Sequence, residues 1–169
     1  MTLTAQPPLA VDIVRRAGEW ADVADDILIR AARAAFAAAG QDAPQSEVSL
    51  LLTGDEEAGA LNKSWRNKDG ATNVLSFSLD APQNGAEPRA LGDVVLAYET
   101  VMREAADLGI ATAQHAAHLV VHGVLHLMGY DHKSDQQAVV MEDLEVRVLG
   151  SLGLPNPYSL QSETQGEGQ

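Results

Sequence analysis

Three histidines constrain this chain more than any other feature. They lie in the run His122-Gly123-Val124-Leu125-His126-Leu127-Met128-Gly129-Tyr130-Asp131-His132, at positions i, i+4 and i+10. The first two are one helical turn apart, so both imidazoles project from one face. Gly129 follows the last apolar helical residues and accepts the left-handed conformation that ends a helix. The chain can then turn back and bring His132 towards the other two. Three neutral imidazoles converging on one point form a zinc site with an open fourth position, the catalytic rather than the closed structural form. A lone histidine on an apolar helix is ordinarily a satisfied core residue. Here all five histidines (His115, His118, His122, His126, His132) fall in one short window.

The same spacing matches the zinc peptidase pattern H-E-x-x-H-x-x-G-x-x-H at every metal position, but Gly123 replaces the glutamate that would be the general base. The metal cage is present and the peptidase base is missing.

At 169 residues the chain is long enough to bury a core and is most simply one domain. It has no cysteine, which excludes disulfides and thiolate ligands. No run approaches the ~18 apolar residues of a membrane span, and no basic leader precedes an apolar stretch. A soluble, cytoplasmic protein is the expectation, with no membrane partner and no nucleotide cofactor. The net charge of -13 argues against wide non-specific binding to nucleic acid, while leaving room for a local basic site.

The patterning predicts a small sheet with helices. Leu9 to Val14 reads as a strand and Gly18 to Ala39 as an amphipathic helix closed by Gly40. Val48 to Leu52 resembles a buried strand. Thr53-Gly54-Asp55-Glu56 fits a capping box for a short helix running to about Trp65. Lys63, Arg66 and Lys68, at the end of that helix, form the clearest basic cluster; favourable placement of cations at a helix C-terminus explains it equally well. Thr72 to Leu79 and Leu91 to Tyr98 read as an antiparallel pair around the loop Ala81 to Ala90, with Asp93 as a turn residue in preference to an acid behind the metal ligands. Glu99 to Leu108 is helical, and Thr112 caps a further helix over Ala113 to Met128. That helix is apolar on nearly every side apart from its histidine stripe, which marks it as buried. Ser134 to Leu149 closes the fold, with Val139, Val140, Leu144 and Val148 as its apolar face and Asp135, Glu142, Asp143 and Glu145 mostly solvated. The expectation is an α+β fold: a small mixed sheet of about four strands flanked by about five helices, with the histidine-bearing helix buried at its centre. One metal-dependent hydrolase domain is expected over residues 1–160, followed by a polar, disordered tail over 161–169.

The chain resembles the YbeY proteins, bacterial zinc-dependent endoribonucleases of ribosomal RNA maturation. The resemblance is densest in His122 to His132, in Leu61-Asn62 through Trp65-Arg66-Asn67-Lys68-Asp69 into Thr72-Asn73-Val74-Leu75-Ser76-Phe77, and in Leu91-Gly92-Asp93-Val94. It implies that His122, His126 and His132 hold one zinc ion per chain, and that Arg66 is the functionally important arginine. The implied substrate is RNA, chiefly small-subunit ribosomal RNA, with the ribosome as partner. Ala71 and Ser78 stand where the family usually has proline.

Three-histidine zinc lowers the pKa of bound water to ~7 and acts as a Lewis acid on a phosphoryl oxygen. An arginine stabilises the charge that builds at phosphorus. Arg66 is the expected source, with Lys63 and Lys68 holding backbone phosphates. The general base is unassigned. His118, one turn before His122, is a candidate proton shuttle, and a buried structural histidine is the competing reading. Asp131 is a candidate for orienting a ligand histidine. Two other readings stay open: a zinc metallopeptidase-like hydrolase, and a non-catalytic, zinc-stabilised ribosome assembly factor.

Overall fold

The computed structural model describes residues 9–40, 45–66, 73–78 and 89–159, with the side chains of Trp65 and Arg66 excepted. In chain order the elements are β1 (Leu9–Arg15), α1 (Asp25–Ala39), β2 (Ser46–Thr53), α2 (Asp55–Arg66), β3 (Val74–Ser78), β4 (Arg89–Ala97), α3 (Tyr98–Leu108), α4 (Thr112–Leu127) and α5 (Asp135–Ser151). The expected tail lies outside the described residues.

The strands form one mixed sheet in the order β1-β2-β4-β3. β1 pairs parallel with β2, and β2 with β4. β3 runs antiparallel to β4, as expected for this pair, with Ser76 opposite Val94 and Phe77 opposite Asp93. The parallel pairing of β1 and β2 requires a crossover, which α1 supplies. α4 lies between the sheet, α1, α3 and α5, which is why its sequence is apolar all round. Ala116, Ala117, Val120, Val121, Val124 and Leu125 of this helix are fully buried with Leu50, Val94 and Leu96 of the sheet. Each such Val or Leu contributes about 1.5–3 kcal/mol relative to an exposed one. α2 covers part of the other face, where Ala58 packs with Leu75, Val95 and Ala97. Among the described residues no helix is long and apolar enough to cross a membrane.

Several expectations of detail are corrected. The helix expected from Gly18 begins only at Asp25, and Trp20–Asp22 form a short 3-10 turn. The Arg15 guanidinium donates to the carbonyls of Trp20 and Val23 at 2.9 and 2.8 Å, tying this turn to the end of β1. The capping box does not form between Thr53 and Glu56. The Thr53 hydroxyl donates to Glu57, and the Asp55 N–H goes to Glu99 of α3 at 2.7 Å. Thr112 is the first residue of α4 rather than its cap; Ala111 holds that place, and its N–H donates to the Gln114 side chain. Asp93 is inside β4, not in a turn.

The largest correction concerns α5. Val139 and Val140 are 58% and 55% exposed, and the buried face is Met141, Leu144, Glu145, Val148 and Leu149. That face keeps the three- and four-residue step, but it carries a glutamate at its centre. Glu145, expected in solvent, is 1% exposed.

Candidate metal centre

α4 ends at Leu127, and Gly129 adopts φ of 105°. The Gly129 N–H donates to the His126 carbonyl and the Tyr130 N–H to the Leu125 carbonyl, both at 3.0 Å, which satisfies the last turn while the chain reverses. The reversal brings His132 back. One nitrogen from each of His122, His126 and His132 lies within 4.8 Å of the others. The ring centroids of the three pairs are 5.0, 5.7 and 5.2 Å apart. His122 and His126 are half-buried and His132 is exposed, so the group opens to solvent on one side. These residues could hold a metal ion, and three imidazole nitrogens suit zinc.

Behind His122 stands Glu145. Its Oε2 lies 2.7 Å from His122 Nδ1, and its Oε1 lies 2.8 Å from His118 Nε2. The Tyr158 hydroxyl donates to the same Oε1 at 2.6 Å. Burial pushes the Glu145 carboxyl up, but the hydrogen bonds and charges of His118 and His122 together outweigh it and hold the group at about 2. The carboxylate is therefore ionised and accepts all three bonds. With Nδ1 of His122 turned to Glu145, its Nε2 is the atom left to face a metal. This is the outer-shell arrangement that fixes a ligand histidine's tautomer. For Tyr158, burial first and then the Glu145 carboxylate push the phenol well above its ordinary value, so it remains a donor.

The histidines open onto a cleft of about 670 Å³, also lined by Asn73, Ser76, Ser78, Asp131 and Lys133. β3 is the sheet edge beside this cleft, and Ser76 donates to the Gly123 carbonyl at 3.2 Å. The Asn73 amide donates to Glu104 at 2.9 Å, and Glu104 also lies 2.8 Å from His115 Nε2. His115 is thus a structural histidine of the α3–α4 contact. Burial depresses its pKa, with Glu104 opposing.

Lys63 is exposed on α2 and does not line the cleft. The Arg66 side chain and the whole of Lys68 lie outside the described residues. His118 is 9% exposed, faces Glu145 and lines a different cavity with Glu104 and Asp107, so the described cleft does not include it. Asp131 accepts the backbone N–H of His132 at 2.8 Å, a bond that lowers its pKa; the carboxylate shapes the returning turn.

Sequence reasoning missed Glu145, Tyr158, Asn73, Ser76 and Lys133 as site residues. A signal existed for the first: Glu145 is four residues from both Met141 and Leu149, on the buried stripe. Lys133 is the neighbour of His132, a candidate ligand. Nothing local marks Tyr158.

A family model described as endoribonuclease YbeY matches residues 16–153. A protein of Rhodospirillum rubrum named endoribonuclease YbeY is 56% identical over 127 residues, 72% of this chain; the match spans 63% of that relative's length. Relatives of the same name from Azorhizobium caulinodans and Paramagnetospirillum magneticum are 44% and 46% identical. They match over 92% and 95% of this chain and 99% and 100% of their own lengths. The solution structure of a Thermotoga maritima protein has the same fold, with a TM-score of 0.52 at 21% identity, covering 84% of this chain and 91% of that one.

Proposed function

The chain belongs to the endoribonuclease YbeY family, and we propose that it is a zinc-dependent endoribonuclease cutting single-stranded RNA. Its substrate in this reading is the small-subunit ribosomal RNA, in late 3′-end processing and quality control of ribosomes in the cytoplasm, with residues 1–160 forming one hydrolase domain. The observation that carries the reading is the convergence of His122, His126 and His132 within 4.8 Å at the wall of an open cleft.

His122, His126 and His132 would hold the ion. Zinc bound there supplies Lewis acidity towards a phosphoryl oxygen. The protein contributes the rest. Glu145 orients His122. Lys133 places a cation in the cleft, and Asn73, Ser76 and Ser78 give it a polar wall on which a ribose-phosphate chain can form hydrogen bonds. Arg66, at the end of α2, is the proposed source of the guanidinium that stabilises charge at phosphorus, and Lys63 and Lys68 assist in holding the backbone. His118 acts through Glu145, which it contacts, rather than on substrate. The peptidase alternative is weakened because Gly123 packs against the sheet and leaves no space for a base in the position of the peptidase glutamate.

The test is single-turnover cleavage of a single-stranded ribosomal RNA fragment, beside its duplex and a peptide library, by the parent and His126→Ala. The expected result is cleavage of single-stranded RNA by the zinc-loaded parent and none by the variant, with unchanged circular dichroism. Equal cleavage by both proteins, or cleavage of peptides alone, overturns the reading. Ribosome association without any cleavage would favour the assembly-factor alternative.

A further inference from the structure

The segment after α5 looks dispensable: a proline-containing turn leading into a polar tail. Its geometry is nonetheless defined. The Asn156 side-chain oxygen accepts the backbone N–H groups of Tyr158 and Ser159 at 2.9 and 3.2 Å, as a helix N-cap does. Pro157 is buried and occupies the position after that cap, where its missing N–H costs nothing. This turn aims the Tyr158 ring at the core. It meets the His118 ring edge-to-face, with centroids 5.9 Å apart and planes at 82°, and its hydroxyl reaches Glu145 Oε1 at 2.6 Å.

Three donors therefore converge on one buried carboxylate. Tyr158 and His118 share Oε1, and His122 Nδ1 has Oε2. If the carboxylate accepts from all three, the hydrogens are determined: His118 carries its proton on Nε2 and His122 on Nδ1. In accord with this, His118 Nδ1 is buried with no hydrogen-bond partner among the described residues, which a bare acceptor nitrogen tolerates better than an N–H. The two bonds on Oε1 fix the rotation of the carboxylate about its side chain. That rotation is what directs Oε2 at His122.

We propose that Tyr158, carried on the Asn156–Pro157–Tyr158 turn, is a positioning residue for the metal site, acting through Glu145 to hold His122 in the tautomer that presents Nε2 to the ion. The proposal rests on the zinc-site reading above, but its primary readout does not. Losing the Tyr158 hydroxyl frees one side of Glu145, so the carboxylate turns and His122 samples the other tautomer. Removing the acceptor itself has the larger effect, because an outer-shell partner typically carries about 10- to 100-fold in metal affinity.

The experiment uses the full chain as parent, Tyr158→Phe and Glu145→Gln. Imidazole nitrogen NMR on the zinc-free proteins reads the His122 tautomer, and competition with a chromophoric chelator reads zinc affinity. The parent is expected to hold His122 mainly as the Nδ1–H form. Tyr158→Phe should reduce that population and weaken zinc binding by about threefold to tenfold, the scale of part of one charge-assisted hydrogen bond. Glu145→Gln should weaken it by about 10- to 100-fold. A Tyr158→Phe protein with the parent's tautomer population overturns the proposal, even if its melting temperature falls, because Tyr158 is then only a packing residue. If the parent itself binds no zinc, the zinc-site reading fails, and the tautomer comparison still decides the role of Tyr158.

Discussion

A Cβ added to Gly123 would stand 2.7 Å from Cγ1 of Val94, nearer than side-chain carbons approach one another. Gly123 lies on the face of α4 that rests on the sheet, one residue after His122, the first candidate ligand. Val94 is fully buried and β-branched, so it has little freedom to yield. The Ser76 hydroxyl, bonded to the Gly123 carbonyl, lies 3.1 Å from the same added atom. The missing side chain is what lets the histidine helix sit close to β3 and β4.

Gly123→Ala should therefore destabilise the protein, by about 1–3 kcal/mol for overpacking less the small gain in helix propensity. Gly123→Glu, which restores the peptidase pattern on paper, should cost more and yield no peptide hydrolysis, since its carboxylate would be buried against Val94. Denaturant unfolding of both variants and a peptide-library assay check this. Parent stability for Gly123→Ala would show that the helix is not held at this distance.

Zinc content should follow the ligand set. His122→Ala, His126→Ala and His132→Ala should each lower the metal per chain from about one, whereas His115→Ala, on the far side of His118 and paired with Glu104, should not. Chelation should lower the melting temperature of the parent, because a metal present at 100 times its Kd adds about 2.7 kcal/mol to the folded state. Elemental analysis and thermal melts read both effects.

Arg66→Ala should lose about 10²–10³ in the single-turnover rate if its guanidinium meets charge at phosphorus. Arg66→Lys should recover only part, because an ammonium lacks the bidentate fork. Lys68→Ala should instead weaken RNA binding and flatten its salt dependence. Parent rates for Arg66→Ala would reduce Arg66 to a helix-end cation.

Asp93 provides a pH-dependent prediction. Asp93 is an exposed position of β4, but partial desolvation of its carboxyl raises the pKa from 3.8, so the folded state binds the proton more tightly than the unfolded one. The ionised group costs stability at neutral pH, and the cost fades as pH falls through the raised value to below 3.8. Asp93→Asn should melt higher than the parent at pH 7 and lose that advantage near pH 3. An advantage that stays constant with pH would place its cause outside this titration.

The elements and the metal candidates were legible because both depend on spacing within one element. Continuous apolar runs marked β2 and the buried α4, apolar periodicity marked α1, and His122, His126, Gly129 and His132 are linked by one helix and its terminating turn. Where elements meet, local patterns were poorer guides. The α2 N-terminus looked self-capped, but Glu99 of α3 accepts its first N–H. Val139 and Val140 read as an apolar face of α5, yet the packing of that helix against α1 and α4 turned them outward and Glu145 inward.

The sequence by itself determined that three imidazoles can converge, that the peptidase base is absent, and that the helix carrying the first two is buried. Only the tertiary structure decided what surrounds them: Glu145 behind His122, Tyr158 behind Glu145, and β3 along the open side. The physical reason is that coordination within one turn of helix is set by backbone periodicity, whereas a hydrogen bond between residues 23 or 13 apart in the chain depends on how whole helices pack.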